Sequence, residues 1–265
     1  MRQISLEELR QIQLEILSDV DVFCKNKGIK YSLCGGTLLG AVRHKGYIPW
    51  DDDIDLMMPR EDYERFAKEY HSQDNELLDL RKSEVTVEIC LKVCRRGTVM
   101  TDISFGRSLW GINIDIFPID GAPMEYDEHC RKVLALREKL SWVCPFYKAI
   151  PSNKALWFAK YILKRLRHCC FDSSLNVKKE IEKLACCYPF SNSPKAGVIL
   201  GSYGSREVVD KTVFDEITDL PFEGCQYPAI KDFHSYLSAV YGDYMQLPPL
   251  EKRVTHHLYD SFILS

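Results

Sequence analysis

The chain has 265 residues, of which 46% are apolar and 28% charged, and its formal net charge is −3. A chain of this length and composition can bury a substantial core, as globular domains do. The acidic balance argues against nucleic acid as a partner, because no excess of lysine and arginine is present to neutralise phosphates. No apolar run approaches the roughly 20 residues that a membrane span requires.

Eleven cysteines raise the question of disulfides or a zinc site. Cys169 and Cys170 are adjacent, as are Cys186 and Cys187, and no C-x-x-C motif occurs. This spacing fits neither a zinc site nor a disulfide framework. The first thirty residues contain no cleavable apolar region of the kind that a secretory signal needs. We therefore expect a reducing compartment, in which the cysteines pack as small apolar side chains.

The first half of the chain alternates between predicted helices and predicted strands. Ser5 and Glu8 have the spacing of a capping box, apolar residues then recur at helical spacing, and Gly28 is a typical helix stop. The predicted helices span residues 5–28, 37–42 and 59–71, and the predicted strands span residues 29–34, 51–58, 88–94 and 111–117.

The middle of the chain, residues 125–188, has a helical pattern rich in lysine and arginine. Within it, residues 160–168 are basic on one side, which is typical of a solvated helix face. Loose contact with anionic lipid is the less favoured alternative. A last helix is predicted near residues 229–240.

The most informative stretch is residues 51–56, DDDIDL, which places four carboxylates among five residues. Such charges repel one another and resist burial unless a cation lies among them. As a strand, this stretch would point Asp51, Asp53 and Asp55 to one face. Carboxylates about 7 Å apart on one face can bind a hard divalent cation, and oxygen ligands favour Mg²⁺ or Mn²⁺ over Zn²⁺. A solvated acidic turn is the alternative, but this stretch runs into an apolar strand.

The acidic stretch follows a paired glycine, Gly35-Gly36, and precedes a later strand that carries Asp115. Glycine lets the backbone approach a phosphate closely, and the N–H groups of the following helix favour negative charge. Thr37 could add a hydroxyl donor to these N–H donors. Asp53 and Asp55 would hold Mg²⁺ against nucleotide phosphates, and Asp115 would complete the metal site or accept a proton. Nucleotidyltransferase-fold enzymes use this order of strand, glycine turn, helix and two acidic strands.

Two blocks of sequence resemble the signature of the LicD family. The first block is residues 35–46, GGTLLGAVRHKG, with residues 48–55, IPWDDDID, and the second is residues 241–249, YGDYMQLPP, with Lys252, Arg253 and His256. Shorter matching stretches are Arg60, residues 62–66, Lys92, residues 114–120 and residues 222–224. The resemblance covers both ends of the chain, and the helical middle matches least.

This resemblance implies an α+β fold, with a nucleotidyltransferase-like mixed sheet, flanking helices and a helical lobe. It also implies a division of the chain into three parts. Residues 1–124 would form the catalytic core, residues 125–200 the helical lobe, and residues 201–265 a C-terminal segment that completes the active site.

The resemblance further implies a Mg²⁺-dependent transferase, with Mn²⁺ as the alternative ion. The family includes bacterial phosphocholine transferases and is related to the fukutin-type transferases. The chain would therefore move a phospho-substituent from a CDP-activated donor to a hydroxyl of a glycan or lipid-linked oligosaccharide, releasing CMP. Asp53, Asp55 and Asp115 fall on the family's carboxylate positions, and Asp51 is an additional candidate ligand or base.

Candidate contacts to the donor come from the same resemblance. The basic candidates for its phosphates are Arg43, His44, Lys45, Lys92, Arg253 and His256. An alkylammonium donor also needs an aromatic face, for which the candidates are Tyr47, Trp50, Tyr203, Tyr241 and Tyr244. For His256, a tail histidine without a catalytic role is an equal alternative, and a tryptophan such as Trp50 is more often a core residue.

Several alternatives stay open. The donor could be CDP-choline, CDP-ethanolamine, a CDP-linked aminoethylphosphonate or CDP-ribitol, and an aromatic cage would select a quaternary ammonium among them. A catalytically silent nucleotide-binding protein would keep the fold but lose acidic ligands, which this chain retains. Because the donor nucleotide is cytosolic, we expect a cytoplasmic protein with at most peripheral contact to the inner leaflet.

Overall fold

In a computed structural model, the chain is described over residues 1–102, 107–108, 110–144, 159, 162–163, 166, 172–201, 203–254 and 259–264. It has the mixed α+β architecture that was expected. The helices with defined bounds are α1 Leu6–Lys27, α2 Gly35–Arg43, α3 Arg60–Glu69, α4 Tyr126–Val143, α5 Ser174–Ala185 and α6 Phe233–Tyr241. The strands are β1 Arg2–Gln3, β2 Ser32–Leu33, β3 Asp55–Pro59, β4 Asn75–Asp79, β5 Leu91–Arg95, β6 Thr98–Asp102, β7 Arg107–Ser108, β8 Asn113–Ala122, β9 Lys195–Gly197, β10 Val208–Asp210, β11 Ile217–Phe222, β12 Cys225–Ile230 and β13 Tyr259–Ile263.

Seven strands form a central mixed sheet, in which β8 is the longest strand. On one side β8 pairs in parallel with β3. On its other side it pairs antiparallel with β5 along its first half and with β9 along its second half. The sheet continues from β3 to β2, from β9 to β10, and from β5 to β4. Strand β8 therefore brings three distant parts of the chain together.

Two smaller sheets complete the described strands. Strands β1, β13, β6 and β7 form one of them, so the two ends of the chain pair with each other. Strands β11 and β12 form a hairpin that turns at Glu223 and Gly224, where φ is 48° and 80°. The prediction of a helix from residue 229 is wrong at its start, because Ala229 and Ile230 still pair within this hairpin and α6 begins at Phe233.

Helix α1 begins and ends where the sequence predicts. The Glu8 N–H donates to Ser5 Oγ and the Ser5 N–H donates to the Glu8 carboxylate, which completes the capping box. Gly28 ends the helix with a φ of 61°. The apolar side of α1, including Ile16 and Leu17, packs into the main core together with α2 and α3. Among the described residues the cysteines are free thiols, and six of them are buried as small apolar side chains, whereas Cys186, Cys187 and Cys225 are exposed.

Helices α4 and α5 pack around a second apolar cluster that includes Val133, Leu140 and Ile181. Strand β9, which the sequence analysis assigned to the helical lobe, pairs with β8 and extends the central sheet. The division into three parts stays a prediction. The basic stretch at residues 160–168 lies largely outside the described residues. No helix in the described part of the chain is long and apolar enough to cross a membrane.

Candidate active site

Three neighbouring strands carry a row of charged residues across the central sheet. Asp55, the first residue of β3, lies opposite Asp115 in parallel β8. Asp115 in turn lies opposite Lys92 in antiparallel β5. Paired strands are about 4.8 Å apart, and directly opposite residues point to the same face of a sheet. The pairing therefore places two carboxylates and one ammonium side by side.

The acidic stretch is shorter as a strand than the sequence predicts. Strand β3 begins only at Asp55, and the acidic residues before it form an irregular loop held by α1. The Arg10 guanidinium donates hydrogen bonds to three backbone carbonyls of residues 48–51. The Gln13 amide donates to the carbonyl of Asp52 over 2.9 Å. The predicted start of the strand is wrong because α1 supplies the partners that a neighbouring strand would supply.

The sequence analysis did not identify Arg10 and Gln13 as functional residues. The signal for Gln13 is a polar residue at a core-facing position of an amphipathic helix, where it is only 2% exposed. A buried amide needs hydrogen-bond partners, so such a residue marks a place where irregular backbone meets the helix. Arg10, one turn earlier on α1, carries no comparable signal.

The paired glycines lie at the N-terminus of α2, directly against the carboxylates. Gly35 has a φ of 50°, in the region that favours glycine. A Cβ on Gly36 would lie 2.7 Å from Asp51 Oδ2, so any side chain there would displace the Asp51 carboxylate. Thr37 Oγ1 accepts the Asp55 N–H over 2.8 Å and is buried. This hydroxyl therefore fixes the start of β3.

Asp51, Asp53 and Asp55 line one cavity of about 300 Å³ beside the glycine turn. Withdrawal of Asp55 from water, followed by repulsion from Asp53, Asp115 and Asp51, raises its pKa well above the usual aspartate range, although Lys92 opposes the shift. A divalent cation would remove this repulsion. A donor set made only of carboxylate oxygens suits Mg²⁺ or Mn²⁺, so these residues fit the ion that the sequence predicts.

A second group of possible ligands lies next to Asp115. Glu88, Cys90 and Asp115 offer ligand atoms within 4.8 Å of one another, a spacing compatible with a divalent metal. Lys92 Nζ, however, lies 2.6 and 2.7 Å from the two Asp115 oxygens and 2.9 Å from Glu88 Oε2. The sequence analysis proposed Lys92 as a phosphate contact, and the structure places it on these carboxylates.

Two further cavities adjoin the first. A larger one, of about 510 Å³, shares Asp51, Tyr203 and Tyr241 with it. A smaller one, of about 80 Å³, shares Asp53 with the first cavity and reaches Trp110. The acidic loop therefore separates a wide space on the α2 side from a narrow one on the β5 side. The two wide cavities together are in the size range of small-molecule sites.

Arg43 brings a cation to the larger cavity. Its Nη1 donates to the backbone carbonyl of Tyr244 over 2.7 Å, and its Nε donates to His44 Nε2 over 2.9 Å. Burial and the charge of Arg43 lower the pKa of His44, which favours the neutral ring that accepts this bond. His44 thus supports Arg43 and adds no charge of its own.

The other basic candidates are placed differently. The Arg253 guanidinium lies 5.6 Å from the centroid of the Trp50 ring, and Trp50 lines the larger cavity. Lys45 is exposed, and its ammonium donates to the carbonyl of Val42 over 3.1 Å. His256 lies outside the described residues.

Most of the aromatic candidates surround the larger cavity. Its lining includes Trp50, Tyr203, Tyr241 and Tyr244. The rings of Tyr203 and Tyr241 meet edge to face, with centroids 5.3 Å apart. Tyr47 instead lies in the core, where its ring contacts Phe222 and its hydroxyl donates to Gln13. The structure therefore separates Tyr47 from the other four.

Glu207 lines the first cavity, although no sequence pattern pointed to it. The residue is 5% exposed, and its buried Oε2 has no hydrogen-bond partner among the described residues. Burial raises the pKa of Glu207 to about 8, against the opposing charge of Arg137. At neutral pH this carboxyl is therefore mostly protonated, in contrast to an ordinary surface glutamate.

Comparison with known proteins places the chain among relatives. A family model described as LicD/FKTN/FKRP, nucleotidyltransferase domain, matches residues 28–133, which contain the glycine turn, the acidic loop and Asp115. Lipopolysaccharide cholinephosphotransferase LicD of Haemophilus influenzae is 32% identical over 279 aligned positions, which cover all of this chain and all of that protein.

Two other similarities are shorter. An uncharacterized protein of Rickettsia prowazekii is 38% identical over 80 residues, 30% of each chain. Ribitol 5-phosphate transferase FKRP of Homo sapiens is 57% identical over 35 residues, 13% of this chain and 7% of that protein. The full-length match and the family model agree with the geometry of the acidic strands, and the chain belongs to the LicD family.

Proposed function

We propose that this protein transfers a phospho-substituent from a CDP-activated donor to a hydroxyl of a cell-surface glycan and releases CMP. The substituent is phosphocholine, phosphoethanolamine or aminoethylphosphonate. Full-length similarity to a protein named lipopolysaccharide cholinephosphotransferase supports this reaction class. The observation that carries the proposal is the pairing of Asp55 with Asp115 on adjacent parallel strands, beside the glycine turn at the N-terminus of α2.

Mg²⁺ is the proposed cofactor, with Mn²⁺ as the alternative, and Asp53, Asp55 and Asp115 are the residues that would hold it. When bound, the ion would neutralise charge on the donor pyrophosphate and on the departing CMP. Burial, followed by repulsion from neighbouring aspartates, raises the pKa of Asp55, and this unfavourable charge supports the assignment. An acidic cluster of this kind is costly without a cation and is useful with one.

The chain's own residues would bind and orient the donor. The N–H groups at the start of α2, at Gly35 and Gly36, favour a phosphate oxygen. Arg43 adds a fixed positive charge at the wall of the larger cavity. The faces of Trp50 and Tyr241 in that cavity suit a cationic head group. These contacts would hold the phosphorus in line with the incoming hydroxyl.

In the transfer, the glycan oxygen forms a new bond to the phosphorus of the transferred substituent, and the bond from that phosphorus to the bridging oxygen breaks, so that CMP leaves with the bridging oxygen. The hydroxyl proton must pass to a base. Both Asp115 oxygens already accept hydrogen bonds from Lys92, and one also accepts from Asn113. We therefore assign the base to Asp51, which lies against Gly36 at the shared wall of the two wide cavities.

The lining of the larger cavity bears on the choice of donor. Asp243 lines it together with the aromatic residues Trp50, Tyr203, Tyr241 and Tyr244. Aromatic faces and a carboxylate attract an ammonium group, whereas neutral ribitol gains little from either. This lining favours CDP-choline or CDP-ethanolamine over CDP-ribitol. We place the reaction on the cytoplasmic side of the inner membrane, where CDP-activated donors are made, with a glycan or lipid-linked oligosaccharide as acceptor.

A panel of CDP-alcohols tests this proposal. The protein is incubated with Mg²⁺ and CDP-choline, CDP-ethanolamine or CDP-ribitol, and CMP release and the midpoint of thermal unfolding are measured. We expect the ammonium donors to protect the protein by about 2.7 kcal/mol at a hundredfold excess over Kd. UDP-glucose is the control and should neither protect nor react. Absence of both protection and CMP release with every CDP-alcohol would contradict the proposal.

A further inference from the structure

Lys92 is a charged side chain inside the protein, with only 4% of its surface exposed. Its ammonium contacts both oxygens of Asp115, at 2.6 and 2.7 Å, and lies 2.9 Å from Glu88 Oε2. The Trp110 ring lies beneath it, with its centroid 4.9 Å from Nζ. Two carboxylates thus hold one ammonium between them, and such contacts favour the charged form of a lysine.

This ammonium lies where a metal ion would otherwise fit. Glu88, Cys90 and Asp115 have the spacing of a metal site, and Lys92 already contacts both carboxylates of that group. Cys90 is buried, and its sulfur is a soft ligand that suits a hard cation poorly. The group is thus neutralised by the chain itself.

The position of Lys92 divides the acidic cluster into two parts. In the row across the sheet, Lys92 faces Asp115 from β5, while Asp55 faces Asp115 from β3. Glu88, Lys92 and Asp115 line the narrow cavity, Asp55 lines the first cavity with the glycine turn, and Asp53 lines both. Two divalent cations a few ångströms apart are a frequent arrangement in phosphoryl-transfer sites. Here one of the two positions holds an ammonium.

We propose that Lys92 is a built-in cation that takes the place of a second metal ion, so that the chain binds a single divalent cation, on the Asp53 and Asp55 side of the cluster. Lys92 is then a positioning residue, which holds Asp115 ionised and in place beside that ion. This inference rests on the proposed function in one respect, namely that the chain binds a divalent cation.

Counting bound ions tests the inference directly. Mn²⁺ is titrated into the wild-type chain, alone and with CDP-choline, and free Mn²⁺ is followed by its electron paramagnetic resonance signal. We expect one saturable Mn²⁺ per chain in both titrations. Two ions per chain would overturn the inference and leave the proposed function intact. No bound Mn²⁺ in either titration would overturn the inference as well. In that case, CMP release by the same sample tests the proposed function separately.

Variants of Lys92 give a second test. Lys92→Met frees the ligand atoms of Glu88, Cys90 and Asp115, so we expect it to bind two Mn²⁺ per chain. Lys92→Arg keeps the positive charge and should still bind one. A folded Lys92→Met variant that binds one ion contradicts the inference.

Removal of one partner from a buried ion pair is strongly destabilising, so Lys92→Met could fail to fold. The double variant Lys92→Met with Glu88→Gln removes one charge of each sign, and it takes away a ligand of the second position. We expect it to fold better than the single variant and to bind one Mn²⁺. Two ions in this double variant would place the second site elsewhere and contradict the inference.

Discussion

The carboxyl group of Asp55 is held where its negative charge is costly. Desolvation and three neighbouring aspartates raise its pKa, and the ammonium of Lys92 compensates only in part. Perturbed carboxyl groups of this kind concentrate at functional sites, because the same arrangement that destabilises the charge attracts a cation. We therefore expect a substitution that removes the charge of Asp55 to lower activity and to raise stability.

We predict that Asp55→Asn lowers CMP release from the CDP-activated donor by roughly a hundredfold or more, because it removes a proposed metal ligand. The same change should leave the metal-free protein as stable as the wild type or more stable, since one of the mutually repelling charges is gone. Turnover at saturating Mg²⁺ and urea unfolding measure the two effects. Unchanged turnover would contradict the assignment of Asp55.

The raised pKa of Asp55 also predicts how stability depends on pH. The folded metal-free protein keeps the Asp55 proton over a pH range in which the unfolded chain, with an aspartate pKa of about 4, has lost it. Stability from this group is therefore present at low pH and falls as pH rises from about 4 through the raised folded pKa.

We predict that Asp55→Asn, without divalent ions, loses less thermal stability than the wild type between pH 4 and pH 8. The exposed Asp74→Asn is the matched control, and its curve should follow that of the wild type. Parallel curves for Asp55→Asn and the wild type would show that Asp55 titrates normally.

Helix α1 has two functions at the scale of the element. Its apolar side supplies the core with residues such as Ile16 and Leu17. Its first turns also present Arg10 and Gln13 to the acidic loop, where both side chains donate hydrogen bonds to backbone carbonyls. The Arg10 guanidinium additionally lies 4.7 Å from the centroid of the Tyr47 ring. The helix thus holds the backbone of the loop while the carboxylates turn toward the cavities.

We predict that Arg10→Ala destabilises the protein by about 1.5–3 kcal/mol, the range for hydrogen bonds that involve a charged group. It should lower kcat for CMP release by about 10- to 100-fold, because small displacements of catalytic groups are costly. Urea unfolding and steady-state kinetics measure these changes. Gln11→Ala, at the exposed position next to Arg10 on α1, is the control and should alter neither. An Arg10→Ala variant with wild-type kcat would contradict this account of the loop.

At the scale of the whole molecule, one ion-pair network joins the central sheet to the helices α3 and α5. Arg60 of α3 makes a two-bond contact with Asp120 of β8, at 2.6 and 2.7 Å, and also reaches Glu182 of α5 at 3.1 Å. Arg81 contacts the same glutamate at 3.5 Å. Asp120 is only 1% exposed, so its charge depends on Arg60. The network ties the segment that contains α5 to the strand that carries Asp115.

We predict that Arg60→Met destabilises the protein by about 3–5 kcal/mol, because it leaves the buried carboxylate of Asp120 without its partner. Arg65→Met in the same helix removes a cation that is 45% exposed, and it should cost less than about 1 kcal/mol. Urea unfolding of both variants measures the difference. Equal losses would mean that the Arg60 network contributes no more than a surface pair.

The sequence predicts an element well when the interactions that define it join residues close together in the chain, and poorly when they join distant segments. Helix α1 was predicted at both ends, because a capping box and a terminal glycine act within a few residues. The start of β3 was predicted too early, because Arg10 and Gln13 of a distant helix hold the preceding loop. The start of α6 was also predicted too early, because the chain up to Ile230 pairs in a hairpin.

The sequence by itself determined the residue types of the candidate site: the glycine turn, the acidic loop and an acidic strand in their characteristic order. Only the tertiary structure decided which of these residues meet. The parallel pairing of β3 with β8 puts Asp55 beside Asp115, and the pairing with β5 puts Lys92 on Asp115 in place of a phosphate. Strand register and the burial of Glu207 depend on packing between distant segments, whereas local patterns report only on neighbouring residues.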